Sequence, residues 1–301
     1  MQSAGEVNRG RVVLALLAVY FIWGSNFLAQ RIALEGFPPF FLSGIRYLCA
    51  GLCLYLFLRV KGAPAPPLSH WKNTALIGTF LICGNGGVVF GQQWIASGVS
   101  ALVMATIPLW TVLFAGIWGR WPTRFEWVGL LVGLAGVALL YRTGDVRAHP
   151  EGAVALLTGA LLWAFGSAWS RHLRLPGGLM EAAMEMIAGS TVLIAVGVLN
   201  GERLPALPGW RPAGALVYLI LFGSLVGFSS YVYLLCTVRP ALATSYAYVN
   251  PVVAVLLGIW LAGESISGSS IVSMMIILAG VMLVALGQKP ARARAVQEGR
   301  T

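Results

Sequence analysis

Charge is what this sequence has least of. Asp, Glu, Lys and Arg make up 10% of its 301 residues, where a soluble domain carries about 25%. Acids are the scarcer sign, ten against twenty Lys and Arg. Histidine is nearly missing, and His70, His149 and His172 share no motif. The chain shows no nucleophile–base pair, no metal-ligand spacing and no phosphate-cradling loop, so an enzyme would lack its catalytic constellation. Neither catalysis, nor a cofactor, nor a metal is expected. Four cysteines, Cys49, Cys53, Cys83 and Cys236, fall inside apolar stretches and imply no disulfide framework. Cys49 and Cys53 share a helix face, but no His or acid stands beside them. They read as small buried packing residues.

What the chain has instead is apolar length: 58% of it is hydrophobic, with mean hydropathy +0.82. Runs of about twenty residues, each enough to cross a bilayer, stand near 12–34, 40–60, 73–95, 98–119, 124–141, 152–172, 179–199, 212–236, 240–262 and 267–287. The expected fold class is therefore all-α integral membrane, with ten transmembrane helices in a lipid bilayer. A formal charge of +10 and a pI near 9.9 invite a nucleic-acid partner. The basic residues argue against one, because they stand one to three at a time at the ends of apolar runs, where topology is set. With the N-terminus inside, 14 of the 20 Lys and Arg are cytoplasmic. Both termini are then cytoplasmic, in a bacterial inner membrane. Arg9 and Arg11 precede an uninterrupted apolar run, which reads as a signal anchor rather than a cleaved leader.

The sequence also repeats itself. Ala105-Thr-Ile-Pro108-Leu-Trp-Thr-Val-Leu-Phe-Ala-Gly-Ile-Trp118 is answered by Ala247-Tyr-Val-Asn-Pro251-Val-Val-Ala-Val-Leu-Leu-Gly-Ile-Trp260, with the prolines 143 residues apart. Trp23 through Arg31 is matched by Trp163 through Arg171 at an offset of 140, and Leu134-Ala-Gly-Val137 by Leu278-Ala-Gly-Val281 at 144. Two halves follow, 1–147 and 148–301. Five spans in each half would insert the second upside down relative to the first. Such inverted repeats are a device of alternating-access transporters, with the substrate site between the halves.

These residues resemble the drug/metabolite transporter superfamily, and within it the EamA-type exporters. Trp23-Gly-Ser-Asn-Phe in the first span, Arg46-Tyr-Leu in the second and Leu261-Ala-Gly-Glu264 after Pro251 carry the resemblance, which extends over about residues 12–287. It implies ten helices, cytoplasmic termini, a central cavity and export of amino acids or related metabolites. The family often has an acid after the fourth helix as well as after the ninth; Gly119-Arg-Trp-Pro122 stands here instead. That departure tells against a symmetric acid pair.

Polar groups inside a bilayer are costly and need a partner or a wet cavity. Trp23, Asn26 and Gln30 form one stripe on the first span, echoed by Trp163, Ser167 and Ser170 on the sixth. Asn85 and Gln92 lie on the third; Ser224, Phe228 and Tyr231 follow helical spacing on the eighth; Tyr246 and Asn250 lie on the ninth. The expected substrate-binding set is Trp23, Asn26, Asn85, Gln92, Trp163, Ser167, Tyr231, Tyr246 and Asn250. Aromatic faces with neutral hydrogen-bonding groups suit a small zwitterion with an apolar side chain. Clustered Lys and Arg for a phosphate ester are missing. The competing reading of the same Asn and Ser residues is bonding between helices. Pro108 and Pro251 are expected hinges, and Glu185 is the one acid deep enough to couple protons. Arg46 reads as a tie between helix ends in preference to a group that binds a carboxylate. Tryptophans such as Trp110, Trp118, Trp121, Trp127, Trp210 and Trp260 read as an interfacial belt, and Gly129, Gly133 and Gly136 as a close-packing stripe. The leading function is export of neutral or aromatic amino acids by a monomer whose two halves rock. Proton-coupled export of aromatic cations is the alternative, and a receptor or scaffold a distant one.

Overall fold

The computed structural model describes residues 9–142, 147–204, 208–238 and 240–287. All regular structure among them is helical: α1 (Arg9–Ala33), α2 (Pro39–Val60), α3 (Leu68–Gly91), α4 (Ser97–Met104), α5 (Ile107–Phe114), α6 (Arg124–Leu140), α7 (Pro150–Ser170), α8 (Gly178–Leu199), α9 (Trp210–Tyr218), α10 (Gly227–Thr237), α11 (Tyr246–Ala262) and α12 (Gly268–Gly287). Single turns of helix at Ala115–Trp118 and Pro240–Ala243 flank α5 and α11, and a π-helical stretch, Leu219–Val226, joins α9 to α10. Taking Ser97–Trp118 and Trp210–Thr237 as units, eight helices are long and apolar enough to cross a membrane. The shorter α6 and α11, 17 residues each, occupy the places expected for the fifth and ninth spans.

Long helices are what an apolar chain must form in lipid, because every backbone N–H and C=O then bonds within its own segment. Leu14, Phe21, Leu56, Leu131, Met275 and Leu286 cover the outside. Prolines open helices where a missing N–H costs nothing, as at Pro39 and Pro150. The same rule corrects the third span, expected over 73–95. It starts directly after Pro67 and ends at Gly91, since the polar His70 and Lys72 are tolerated in its first turns. The cysteines are a second correction. Cys49, Cys53 and Cys236 are exposed on helix surfaces rather than packed inside, and hydropathy does not separate a lipid-facing position from a buried one.

The largest helix contacts cross between the two halves of the sequence. α6 packs on α12, α2 on α8, α3 on both α7 and α8, and α1 on α10 and α11. Glycines let these backbones touch. Gly129 and Gly136 of α6 meet the Gly280 carbonyl and Ile277 of α12, and a methyl group on Gly280 would lie 2.4 Å from the Gly133 backbone nitrogen. Likewise, a methyl group on Gly159 of α7 would lie 2.5 Å from the Gly84 carbonyl of α3. Neither half is a body of its own.

Gly280→Val forces two helix backbones apart, so it is expected to cost at least about 2 kcal/mol. The check is melting of the detergent-purified protein, with the exposed Met275→Val as a control that leaves it unchanged.

Candidate functional site

The polar stripe of α1 meets the π-helical stretch, and the local geometry explains why glycine stands at Gly223 and Gly227. A methyl group on Gly227 would lie 2.3 Å from Trp23 Nε1, and one on Gly223 2.5 Å from the Asn26 amide and 3.0 Å from Arg46 Nη2. Trp23 Nε1 donates to the Gly223 carbonyl at 3.1 Å. The Trp23 ring is then boxed by Phe228 at 5.4 Å, Tyr231 at 5.2 Å and Tyr246 at 4.9 Å between centroids. Edge-on aromatic pairs of this kind contribute about 0.5–1.5 kcal/mol each.

Hydrogen bonds frame the box. The Tyr20 and Ser245 hydroxyls bond to each other, and Ser25 Oγ meets the Tyr218 hydroxyl at 2.6 Å. Asn250 is buried, its amide nitrogen donating to the Tyr20 and Tyr246 carbonyls at 3.1 and 3.3 Å. Asn26 is buried too, donating to Ile22 at 3.1 Å and accepting from Arg46 Nη2 at 3.2 Å. Five expected site residues, Trp23, Asn26, Tyr231, Tyr246 and Asn250, therefore come together on α1, α10 and α11.

The other expected residues lie elsewhere. Asn85, Trp163 and Ser167 stand on the packed pair α3 and α7, where Asn85 Oδ1 is buried without a partner. Their neighbours form a second aromatic cluster: Phe165 sits 5.1 Å from Phe80 and 5.4 Å from Phe114, and Trp118 stacks on His172 at 4.8 Å. Gln92 caps α3, with Nε2 donating to the Phe27 carbonyl at 3.1 Å. Glu185 is buried on α8, with no hydrogen bond or ion pair among the described residues. Pro108 follows a break at Ala105–Thr106, whereas α11 runs unbroken across Pro251. Trp121, Trp127, Trp210 and Trp260 are exposed, while Trp110 bonds inward to Thr106 Oγ1 at 3.0 Å.

Two features escaped the sequence reading. Arg46, expected to tie helix ends, is buried two turns into α2, donating from Nε to Ser224 Oγ at 3.0 Å. Glu264, which follows the ninth span, is the hub of a clasp. It accepts from the Ser97 backbone at 2.9 Å, from Ser97 Oγ at 3.0 Å and from the Gly98 backbone at 3.3 Å, and lies 3.6 Å from Arg31 Nε. Arg31 Nη1 in turn donates to the Gln92 and Ile95 carbonyls at 3.2 and 3.1 Å. The carboxylate thus caps α4 from the connection after α11, where the N-terminal dipole favours it. Glu202 does the same for α2, accepting from the Phe40 and Phe41 backbones at 3.1 and 2.9 Å. The signal was legible in Gly263-Glu264 against Gly119-Arg120. Both glycines end helices in the left-handed region, φ 63° and 78°, but only the first is followed by an acid.

Apolar helices in this number, interleaved around a buried polar and aromatic site, define a multi-pass membrane transporter. The profile of the EamA-like transporter family matches residues 10–142 and again 150–286. The chain belongs to that family. It is 44% identical over 291 residues to the uncharacterized inner membrane transporter YedA of Escherichia coli K12, covering 94% of this chain and 95% of that one. A probable terminal-alkyne amino-acid exporter of Streptantibioticus cattleyicolor is 28% identical over 284 residues, 91% of this chain and 93% of that one. A solved crystal structure, 21% identical, superposes with a TM-score of 0.63 over 91% of this chain and 97% of the other, and shows the same fold.

Glu264→Ala strands the Ser97 and Gly98 N–H groups, so it is expected to destabilise the protein by about 2 kcal/mol. Glu35→Ala removes a half-exposed pair with Arg211 and should cost under about 0.5 kcal/mol. Thermal melting of both variants checks the difference; equal effects would contradict the clasp.

Proposed function

We propose that the protein exports small neutral amino acids, aromatic ones among them, or closely related metabolites, across a bacterial inner membrane. It works by alternating access as a ten-span monomer, two inverted five-helix repeats with both termini in the cytoplasm. The observation that carries this reading is the site on α1, α10 and α11, where a tryptophan box adjoins the buried amides of Asn26 and Asn250. A zwitterion with an apolar side chain needs those two surfaces side by side. The duplicated family match supports the repeat, and equivalent helices build both aromatic clusters: first with eighth and ninth, sixth with third and fourth. The Streptantibioticus cattleyicolor exporter named for an amino acid and the inner membrane relative point the same way.

Because the large contacts run between the halves, the moving units are helix groups drawn from both rather than two rigid halves. Breaks at Ala105–Thr106 and Thr244–Ser245 are where such groups bend, with Pro108 and Pro251 as hinges. The second set, Asn85, Gln92, Trp163 and Ser167, serves the same substrate in the opposite orientation of the site.

The test is uptake into liposomes of labelled Thr, Met, Lys, Phe, Trp and an aromatic cation, with and without a pH gradient. Saturable flux of neutral amino acids is expected. At equal expression, Trp163→Ala and Asn250→Ala should each lower it at least about tenfold, as removal of a substrate contact does. The exposed Trp210→Ala should leave it unchanged, and equal losses in all three would contradict the site. The unpaired buried carboxyl of Glu185 supports a second reading, proton-coupled export of aromatic cations. Cation flux driven by the gradient, without amino-acid flux and abolished by Glu185→Gln, would select it.

A further inference from the structure

Arg46 has a formal charge and no ion-pair partner among the described residues. It is 2% exposed on a helix within the membrane, and Nη1 has no hydrogen-bond partner. Its other contacts are neutral: Ser224 Oγ from Nε, the Asn26 amide from Nη2, and the Tyr47 ring 4.7 Å below the guanidinium. Tyr218 nearby is engaged with Ser25. Of the acids, Glu185 lies on α8, which packs against α2, yet it makes no ion pair with Arg46; the other carboxylates of the described chain sit at helix ends or in connections. A guanidinium buried in this way costs several kcal/mol unless an anion meets it.

The setting is built to hold the charge still. Gly223 gives the guanidinium room, since a methyl group there would lie 3.0 Å from Nη2. Ser224 is offered by the π-helical stretch, and π-bulges concentrate at functional sites. The same Gly223 donates its carbonyl to Trp23, so the charge and the aromatic box share one residue of wall. Two of the guanidinium's nitrogens are fixed and one is free.

We propose that Arg46 is the carboxylate-recognition group of the transport site, taking the substrate carboxylate on Nη1 while Asn26 and Ser224 hold the guanidinium in place. The ligand class is a monocarboxylate with an apolar or aromatic side chain toward Trp23. A phosphate dianion would call for a second cation, which the described residues do not bring here. The assignment rests on the reading of the site as an amino-acid site, and it names the atom that separates acids from amines and amides.

The full chain in liposomes is assayed with labelled L-phenylalanine and L-threonine, competed by the same acids, their carboxamides and phenethylamine. In parallel, melting of the purified protein is followed with L-phenylalanine, its carboxamide and 3-phenylpropionate. In the unaltered protein the carboxamides and the amine should compete at least about tenfold more weakly than the acids, the loss of one charge-assisted hydrogen bond. Arg46→Gln should raise KM for the acids by roughly the same factor, while the inhibition constants of the carboxamides stay as before. Ser224→Ala, which keeps the charge, should show a smaller shift in the same sense. Should Arg46→Gln fail to fold, the comparison of acids with amides in the unaltered protein and Ser224→Ala still decides. Stabilisation by 3-phenylpropionate, lost in Arg46→Gln, with no binding or flux of amino acids, would overturn the amino-acid reading and leave Arg46 standing. Equal competition by acids and amides, or a folded Arg46→Gln with unchanged KM, would overturn the assignment. So would the lack of any effect of all three compounds on flux and melting.

Discussion

Inside a bilayer a polar group has no water to turn to, and each irregularity of this chain is placed where another part of the chain answers it. The fourth span breaks at Ala105–Thr106, and Thr106 Oγ1 bonds back to the Val103 carbonyl at 2.6 Å while Trp110 closes over it. The ninth breaks at Thr244–Ser245, and Ser245 Oγ reaches the Leu242 carbonyl at 2.6 Å and the Tyr20 hydroxyl. The π-helical stretch hands the Gly223 carbonyl to Trp23 and the Ser224 hydroxyl to Arg46. Satisfying these groups brings α1, α2, α10 and α11 together. The proposed site follows from that accounting, and Arg46 Nη1 is among the buried polar atoms it leaves without a partner.

The interleaving has a mechanical consequence. Glycine contacts weld α6 to α12, and α3 to α7, across the sequence midpoint, so opening the molecule cannot mean parting its halves. The polar ties between halves gather on the face that holds Glu264 and Glu202, where two carboxylates of the second half cap α4 and α2 of the first. On the opposite face the position matching Glu264 is Arg120, and aromatic stacking of Trp118 on His172 stands there instead. One face is pinned by two carboxylates and their hydrogen bonds, the other by these rings and one hydrogen bond, from Asn73 Nδ2 to the Arg174 carbonyl at 3.0 Å. A transporter built from two similar halves thereby treats its two sides unequally.

Much of this was legible in the residues. The apolar runs placed the helices, with the third shifted to its proline. The paired Trp, Pro and Leu-Ala-Gly-Val anchors recur at offsets of 140 to 144 residues, and the family profile matches residues 10–142 and 150–286. Gly129, Gly133 and Gly136 announced a backbone contact by spacing alone. The polar residues were harder. Helical spacing put Trp23 with Asn26 and Ser224 with Phe228 and Tyr231, but it could not say which stripes face each other. Whether Arg46 sat at a helix end or beneath the π-helical stretch depended on how α9 and α10 are joined, and hydropathy averages over a π turn without registering it. The role of Glu264 was hidden for a related reason: a carboxylate that caps a helix from elsewhere in the chain leaves no capping-box pattern behind.

The most direct test is a structure of the protein in a lipid nanodisc saturated with L-phenylalanine. The expected result is a ligand between α1, α2 and α10, with its carboxylate on Arg46 Nη1 and its ring against Trp23 and Tyr246. A ligand bound beside Asn85 and Trp163 with its carboxylate away from Arg46, or none at all with Nη1 still unpartnered, would contradict it.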